Sequence, residues 1–169
     1  MDYSLEYRRT TVRLVAEAMS LSLADSFNDR LILQRTMFLM EKHGFHVGYK
    51  YKWWLRGVYS SDLTKDAFAV ADWPELSEGK HLSSKAKEFL DEILCDDSVD
   101  QAEWLNLLTT VVWWGEKNNW DEDKTRNMIA SKHTGITEYV DSTSFNRALD
   151  ALKKTGVWSG SDINQSVLA

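Results

Sequence analysis

The sequence predicts a mainly α fold, a single domain of six to seven helices with one short strand or hairpin near residues 49–55 as a wing-like feature. Three observations predict it. Apolar residues recur at helical spacing through most of the 169-residue chain. One proline, Pro74, and eight glycines leave few points that break a helix, so connections are short. Finally, residues 30–66 contain an apolar helix, a glycine stop, an alternating stretch and a second capped helix, the densest agreement of local signals in the chain.

The first helix starts at a Ser4 cap and is expected to run to about Leu23, with Val12, Val15, Ala16, Met19 and Leu23 inward and Arg8, Arg9 and Arg13 on the opposite side. Residues 24–27 connect it to the second helix, for which Asn28 is the expected N-cap and Asp29 complements the positive end of the helix dipole. Leu31, Ile32, Leu33, Met37, Phe38, Leu39 and Met40 surround this helix, which marks it as buried on several sides. Gly44 supplies the left-handed stop. Tyr49, Tyr51, Trp53 and Leu55 then alternate with Lys50, Lys52, Trp54 and Arg56, a half-buried strand with one apolar and one mostly basic face. Gly57 makes the turn, Tyr59 packs on the second helix, and Ser60 or Ser61 caps a third helix with Leu63, Ala67 and Val70 inward.

Residues 71–80, with Trp73, Pro74 and Gly79, read as a loop. Ser83 or Ser84 starts a fourth helix that turns Ala86, Phe89, Leu90 and Ile93 inward. Ser98 and Gln101 form a capping-box pattern ahead of the longest helix, about residues 99–117, which is apolar nearly all round. Asp121 caps a short helix that buries Met128 and Ile129, with Gly135 ending the unit. Asp141 or Ser142 caps the last helix, where Phe145, Ala148, Leu149 and Leu152 face inward and Gly156 is the stop. The domain so defined spans residues 1–156, and residues 157–169 form a loosely ordered tail in which Val157 and Trp158 dock.

The segments LQRTMFLMEKHG and YKWWLRGVYSSDL, taken together, resemble a pattern in small prokaryotic proteins: Leu-Gln-Lys, an apolar helix, Gly, then Tyr-Gly-Pro-Tyr-Ser and an acidic-Leu pair. The resemblance is to the group of YwgA-like proteins and the SocA-like, or Panacea, domain, and it covers about residues 28–70. Leu33, Gln34 and Arg35 take the Leu-Gln-Lys place, and Gly57, Val58, Tyr59 and Ser60 take the Gly-Pro-Tyr-Ser place, with Val58 where the family has proline. Some members of that group are antitoxins that engage a partner protein. No established catalytic residues come with the resemblance.

Composition narrows the class. A hydrophobic content of 43% with 27% charged residues is that of a soluble globular chain. The single cysteine, Cys95, excludes an internal disulfide and fits a reducing compartment; beside Asp96 and Asp97 its thiolate is disfavoured, so it is not a nucleophile. No 18-residue apolar run and no signal peptide are indicated, and the expected location is cytoplasmic. His43, His46, His81 and His133 are scattered, with no cysteine or carboxylate set beside them, so no metal site is expected. There is no P-loop, dinucleotide glycine pattern or nucleophile elbow, and no cofactor is expected.

Charge is the most informative feature beyond the fold. Residues 30–61 carry six basic side chains and one acid, whereas residues 72–123 carry fourteen acids and four lysines. The plain interpretation is two solvated faces that help copies of the chain pack head to tail as a homo-oligomer. The functional interpretation is a binding surface on the basic strand face, formed by Lys50, Lys52, Trp54, Arg56 and Tyr59. Trp54 among basic groups suits a hot spot or a base-stacking platform, or else a ring covered by those basic side chains. The pairs Trp53/Trp54 and Trp113/Trp114 should each send one ring into the core and the other elsewhere, because adjacent residues do not share a face.

Two functions are therefore expected to compete. The first is a non-enzymatic protein-interaction or regulatory module, antitoxin-like, that binds another protein. The second is a winged-helix nucleic-acid binder using residues 50–56 as the wing. The net charge of −6 disfavours general nucleic-acid binding. The helix over residues 29–43 is also a poor recognition helix, since its middle offers base edges only Gln34, Arg35 and Thr36.

Overall fold

Nine consecutive residues of one helix, residues 32–40, are buried, and the other elements are arranged around them. The computed structural model describes residues 3–74, 79–94, 100–131, 142–159 and 164–169. Seven helices and one two-stranded antiparallel hairpin lie among these residues, in the order α1 (Leu5–Ala18), α2 (Phe27–His43), β1 (Lys52–Trp54), β2 (Gly57–Tyr59), α3 (Ser61–Val70), α4 (Ser84–Ile93), α5 (Gln101–Lys117), α6 (Glu122–Ser131) and α7 (Ser142–Lys154). The mainly α class with a short hairpin is the one the sequence predicts.

The two helices that are apolar nearly all round, α2 and α5, pair with each other at the centre. Met37 and Leu108 are both sealed from solvent there. Burying one such side chain stabilises by about 1.5–3 kcal/mol relative to leaving it exposed. On the flanks, α1 packs on α3, whereas α6 and α7 pack on α5. Buried apolar residues from all of these elements form one continuous cluster. No helix among the described residues is long and apolar enough to cross a membrane.

Local chemistry sets the helix ends. Ser4, Ser60 and Ser83 each accept a hydrogen bond from the backbone N–H three residues on, and Asp121 does the same for Lys124. Gly44, at φ +108°, stops α2 as expected.

Four expected boundaries shift. The N-cap of α2 is Ser26, not Asn28: its hydroxyl accepts from the Asp29 N–H at 3.1 Å. The cap of α5 is Asp100, which accepts from the Glu103 N–H. Helix α1 stops at Ala18 and does not reach Leu23, because Ser20 adopts φ +56° and the N–H of Leu21 reaches back to the Ala16 carbonyl at 2.9 Å. That is the closure glycine usually makes, here made by a serine. The expected strand over residues 49–55 pairs only at Lys52–Trp54, and Leu55 lies at the turn, 85% exposed, not on the apolar face. The expectations placed on Cys95, Ser98, His133, Gly135 and Asp141 lie outside the described residues.

Two further expectations are corrected by packing. Arg8, Arg9 and Arg13 do not point away from the fold; they face α3, where Arg9 and Arg8 meet Asp66 and Arg13 reaches the Val70 carbonyl. Residues 164–169 are not loose either. The N–H of Gln165 donates to the Gly44 carbonyl at 2.8 Å, the Ser83 N–H donates to the Val167 carbonyl at 2.6 Å, and the Ala169 N–H donates to the His81 carbonyl at 2.8 Å. Leu168 bridges Leu82, and Val157 and Val167 are fully buried. Gly115 makes room for the end of the chain, since a β-carbon there would lie 2.6 Å from the Trp158 ring.

Candidate functional site

The hairpin, the first turns of α2 and the outer side of α3 enclose a half-open groove of about 430 Å³. Its geometry follows from three local features. In the hairpin, Lys52 lies opposite Tyr59, Trp53 opposite Val58 and Trp54 opposite Gly57, which leaves Leu55 and Arg56 as a two-residue turn. Gly57 takes φ +102°, and a β-carbon there would come 3.2 Å from the Asn106 side chain, so both backbone and space call for glycine. Beyond Tyr59 the chain turns at once into α3, whose Thr64, Ala67 and Phe68 form the opposite wall.

The corner is fixed to α2 by a polar side chain acting as a backbone. The Gln34 side-chain amide accepts from the Ser60 N–H at 2.9 Å and donates to the Ser60 carbonyl at 3.0 Å and the Thr64 hydroxyl at 2.8 Å. One turn position on, the buried Arg35 guanidinium donates to the Ala102 carbonyl at 2.8 Å and the Arg56 carbonyl at 3.2 Å. Burial, and then repulsion from the Arg56 side chain, pulls its pKa down to about 10. The two residue groups that carry the family resemblance, Leu33-Gln34-Arg35 and Gly57–Ser60, are thus in direct contact.

The groove is apolar at its walls and cationic at its mouth. Phe27 is 52% exposed, Trp54 55%, Leu55 85% and Phe68 52%. The Arg30 guanidinium lies 4.8 Å from the Phe68 ring centre and 5.8 Å from that of Phe27, and the Arg56 guanidinium lies 5.1 Å from Phe27. Each such contact contributes about 0.5–1 kcal/mol at an exposed site and holds the side chain over the ring.

Of the five residues expected to form the binding surface, Trp54, Arg56 and Tyr59 line this groove. Lys50 and Lys52 are exposed but do not line it; the Lys52 ammonium lies 4.6 Å over the Trp54 ring. Trp53 turns inward, as expected, and sits 5.6 Å from both Trp113 and Trp114. Both rings of the second pair therefore serve one packing site, which corrects the expectation that they part.

Four groove residues escape the sequence analysis: Phe27, Arg30, Thr64 and Phe68. Phe27 reads as a connector because its cap, Ser26, was placed two residues later. Phe68 carries a signal that could have found it, since it is an aromatic residue off the Leu63, Ala67 and Val70 stripe.

A second polar centre lies between α1, α3 and the extended segment before β1. Asp66 is buried; it accepts from the Tyr49 hydroxyl at 2.6 Å and the Arg9 guanidinium at 3.1 Å, with the Arg8 guanidinium 3.5 Å away. Burial, with the neighbouring Asp66 carboxylate, pushes the Tyr49 phenol well above its usual range. A carboxylate held by two arginines and a phenol kept protonated make a structural tie between three elements, not a nucleophile or a base. At the other end of α2, His43 stacks on Phe89 at 4.5 Å, and burial lowers its pKa. His46 contacts Glu41 at 2.7 Å instead of joining His43. No group of three or more histidine, cysteine or carboxylate side chains able to hold a metal ion occurs among the described residues.

Comparison with known proteins leaves the groove to be interpreted from its own chemistry: no family model, curated protein or solved structure matches the chain.

Proposed function

We propose that the protein is a non-enzymatic interaction module of antitoxin-like or regulatory type, working in the cytoplasm, that captures another protein in the groove between the hairpin, α2 and α3. One observation carries this: of the five large apolar side chains that stand exposed among the described residues, four, Phe27, Trp54, Leu55 and Phe68, surround this single groove. Exposed apolar groups gathered in one place, with concave shape and arginine at the rim, are the usual form of a docking site. Isolated surface leucines carry no such implication.

The nucleic-acid alternative draws its support from the basic strand face, but two contacts weigh against it. Lys52 already covers the Trp54 ring that a base would stack on. Gln34, Arg35 and Thr36, the polar groups that α2 would need to read a groove, are all buried.

The test is affinity capture from host extract with the intact protein and two variants, Leu55→Asp and Lys52→Gln. The proposal expects a partner protein that the intact chain retains, that Leu55→Asp loses and that Lys52→Gln keeps. Salt-sensitive retention of nucleic acid that Lys52→Gln abolishes is the opposite outcome.

A further inference from the structure

Resting on the groove assigned above, we infer that it recognises a segment presenting a carboxylate next to a bulky apolar side chain, an acidic-apolar peptide motif and not a purely apolar one. The apolar half of that motif is called for by Phe27, Phe68 and Leu55. The acidic half follows from the arginines.

Arg8, Arg9, Arg13 and Arg126 each have a carboxylate within 4 Å. Arg30, Arg35 and Arg56 have none among the described residues. Arg30 instead donates to the Leu23 carbonyl at 2.9 Å, and Arg35 donates to two carbonyls from a site only 6% exposed. Arg56 stands at the hairpin turn, exposed, with its guanidinium over Phe27. The nearest acids in sequence are engaged elsewhere: Asp29 accepts from the Ser22 N–H at 2.8 Å, and Asp62 faces Lys65 at 4.0 Å.

Arg35 and Arg56 thus meet at the turn, and Arg30 stands beside Phe27 and Phe68 at the same groove, none of the three with a carboxylate partner among the described residues. The buried one, directly behind Arg56, is held by neutral dipoles alone. Unpaired positive charge beside an apolar wall, with Arg35 buried behind it, lowers the energy of an anion seated against it. The guanidinium fork matches a carboxylate in particular, because two parallel N–H groups meet two oxygens. Contact with Phe27 and Phe68 favours side-chain positions of Arg30 and Arg56 beside the groove before a ligand arrives, which reduces the entropy lost on binding. An apolar wall beside a guanidinium fork is selective in a way neither is alone: an uncharged apolar segment leaves the arginines unpaired, and an acidic segment without an apolar group leaves the aromatic wall wet.

The probe is N-acetyl-phenylalanine, compared with its carboxamide and with acetate, titrated into the full isotope-labelled chain and followed at backbone amides. Binding should map to Gly57, Thr64 and Phe68. The carboxylate should bind about tenfold tighter than the carboxamide, the discrimination expected of one charge-assisted pair. Acetate should bind more weakly than either. Arg30→Gln and Arg56→Gln should each remove most of the preference while leaving spectra elsewhere unchanged, and the unchanged spectra exclude unfolding as the cause. Equal binding of acid and carboxamide at the groove overturns the inference but leaves the groove as a protein-docking site. Absence of any shift at the groove overturns both. Binding to vesicles containing phosphatidylserine, lost in Leu55→Asp and unaccompanied by a preference for the carboxylate, overturns the peptide motif in favour of a lipid surface.

Discussion

Gln34 pairs with Ser60 as one strand residue pairs with another, its side-chain amide both accepting the Ser60 N–H and donating to the Ser60 carbonyl. Ser60 is simultaneously the N-cap of α3, so a single side chain of α2 fixes where the hairpin ends and the next helix begins. The position of the groove wall depends on that bond pair, because Tyr59 precedes it and Thr64 and Phe68 follow it by one and two turns.

Replacement of Gln34 by leucine keeps the volume but strands the buried Ser60 N–H, while the Ser60 carbonyl keeps the Thr64 N–H and hydroxyl. At about 1–3 kcal/mol for an unsatisfied buried group, a loss of about 1–3 kcal/mol is expected. Gln34→Glu keeps the acceptor but sets a buried carboxylate oxygen against the Ser60 carbonyl, so its cost should be at least that of the leucine variant at neutral pH and should shrink as the carboxyl is protonated at lower pH. Urea denaturation midpoints check both; a leucine variant as stable as the parent would mean the corner is held by packing alone.

The Tyr49–Asp66 bond predicts an effect on stability and another on its pH dependence. Tyr49→Phe removes a hydrogen bond to a charged acceptor, an expected cost of about 1.5–3 kcal/mol at pH 7. The phenol is raised in the folded state and ionises near pH 10 when unfolded. Below pH 10 both states hold the proton and its stabilisation is complete; as the pH rises above 10 the unfolded chain loses the proton first, and the stabilisation falls. Tyr51 is raised for the same main reason, burial, so Tyr49→Phe should flatten the alkaline decline only in part. Thermal melts from pH 8 to 11 measure the two slopes.

His43 predicts a dependence at the acidic end. Burial against Phe89 depresses its pKa, although Glu92 and the Thr155 backbone act the other way, and its Nδ1 is buried without a hydrogen-bond partner. The unfolded chain therefore takes up the proton first as the pH drops past about 6.5, and stability falls from there down through the folded pKa. His43→Phe retains the stacking and removes the titration. The gap between variant and parent should move in favour of the variant between pH 7.5 and pH 5, and parallel stability profiles over that interval would show that His43 does not contribute to the slope.

What the sequence disclosed and what it hid divide along the range of the interactions. Caps at Ser4, Ser60, Ser83 and Asp121 and stops at Gly44 and Gly156 are readable, because the partner lies three or four residues away. The inward stripes of α3, α4 and α7 are readable for the same reason. The end of α1 was not, since Ser20 adopts a backbone conformation that sequence patterns assign to glycine. In the groove, Trp54 and Arg56 stand out because alternation places them on one strand face, and Tyr59 because it follows the Gly57 turn. Phe27, Arg30, Thr64 and Phe68 do not, because their common site forms only when α2 and α3 close on the hairpin. The inward turn of Arg35 was equally unreadable: a guanidinium in the middle of a helix is ordinarily solvated, and only the Ala102 and Arg56 carbonyls, distant in sequence, account for its burial.

The docking of residues 164–169 has a consequence for how the chain is made. Helices α1 and α3 pack on each other and the hairpin closes on itself, so these have partners soon after they leave the ribosome, and α2 completes its packing once α5 follows. The carbonyl of Gly44 at the end of α2 and the edge of the chain at His81 to Ser83 have none so early: their partners are Gln165, Val167 and Ala169. Until those last residues emerge, the floor beneath His43 and Phe89 stays open to water, and the nascent protein must wait through some eighty further additions of amino acid, counted from Ser83 to Gln165, before it can close. A stall in translation after α5 but before Gln165 would leave the groove wall assembled and the opposite end of the molecule exposed to chaperones.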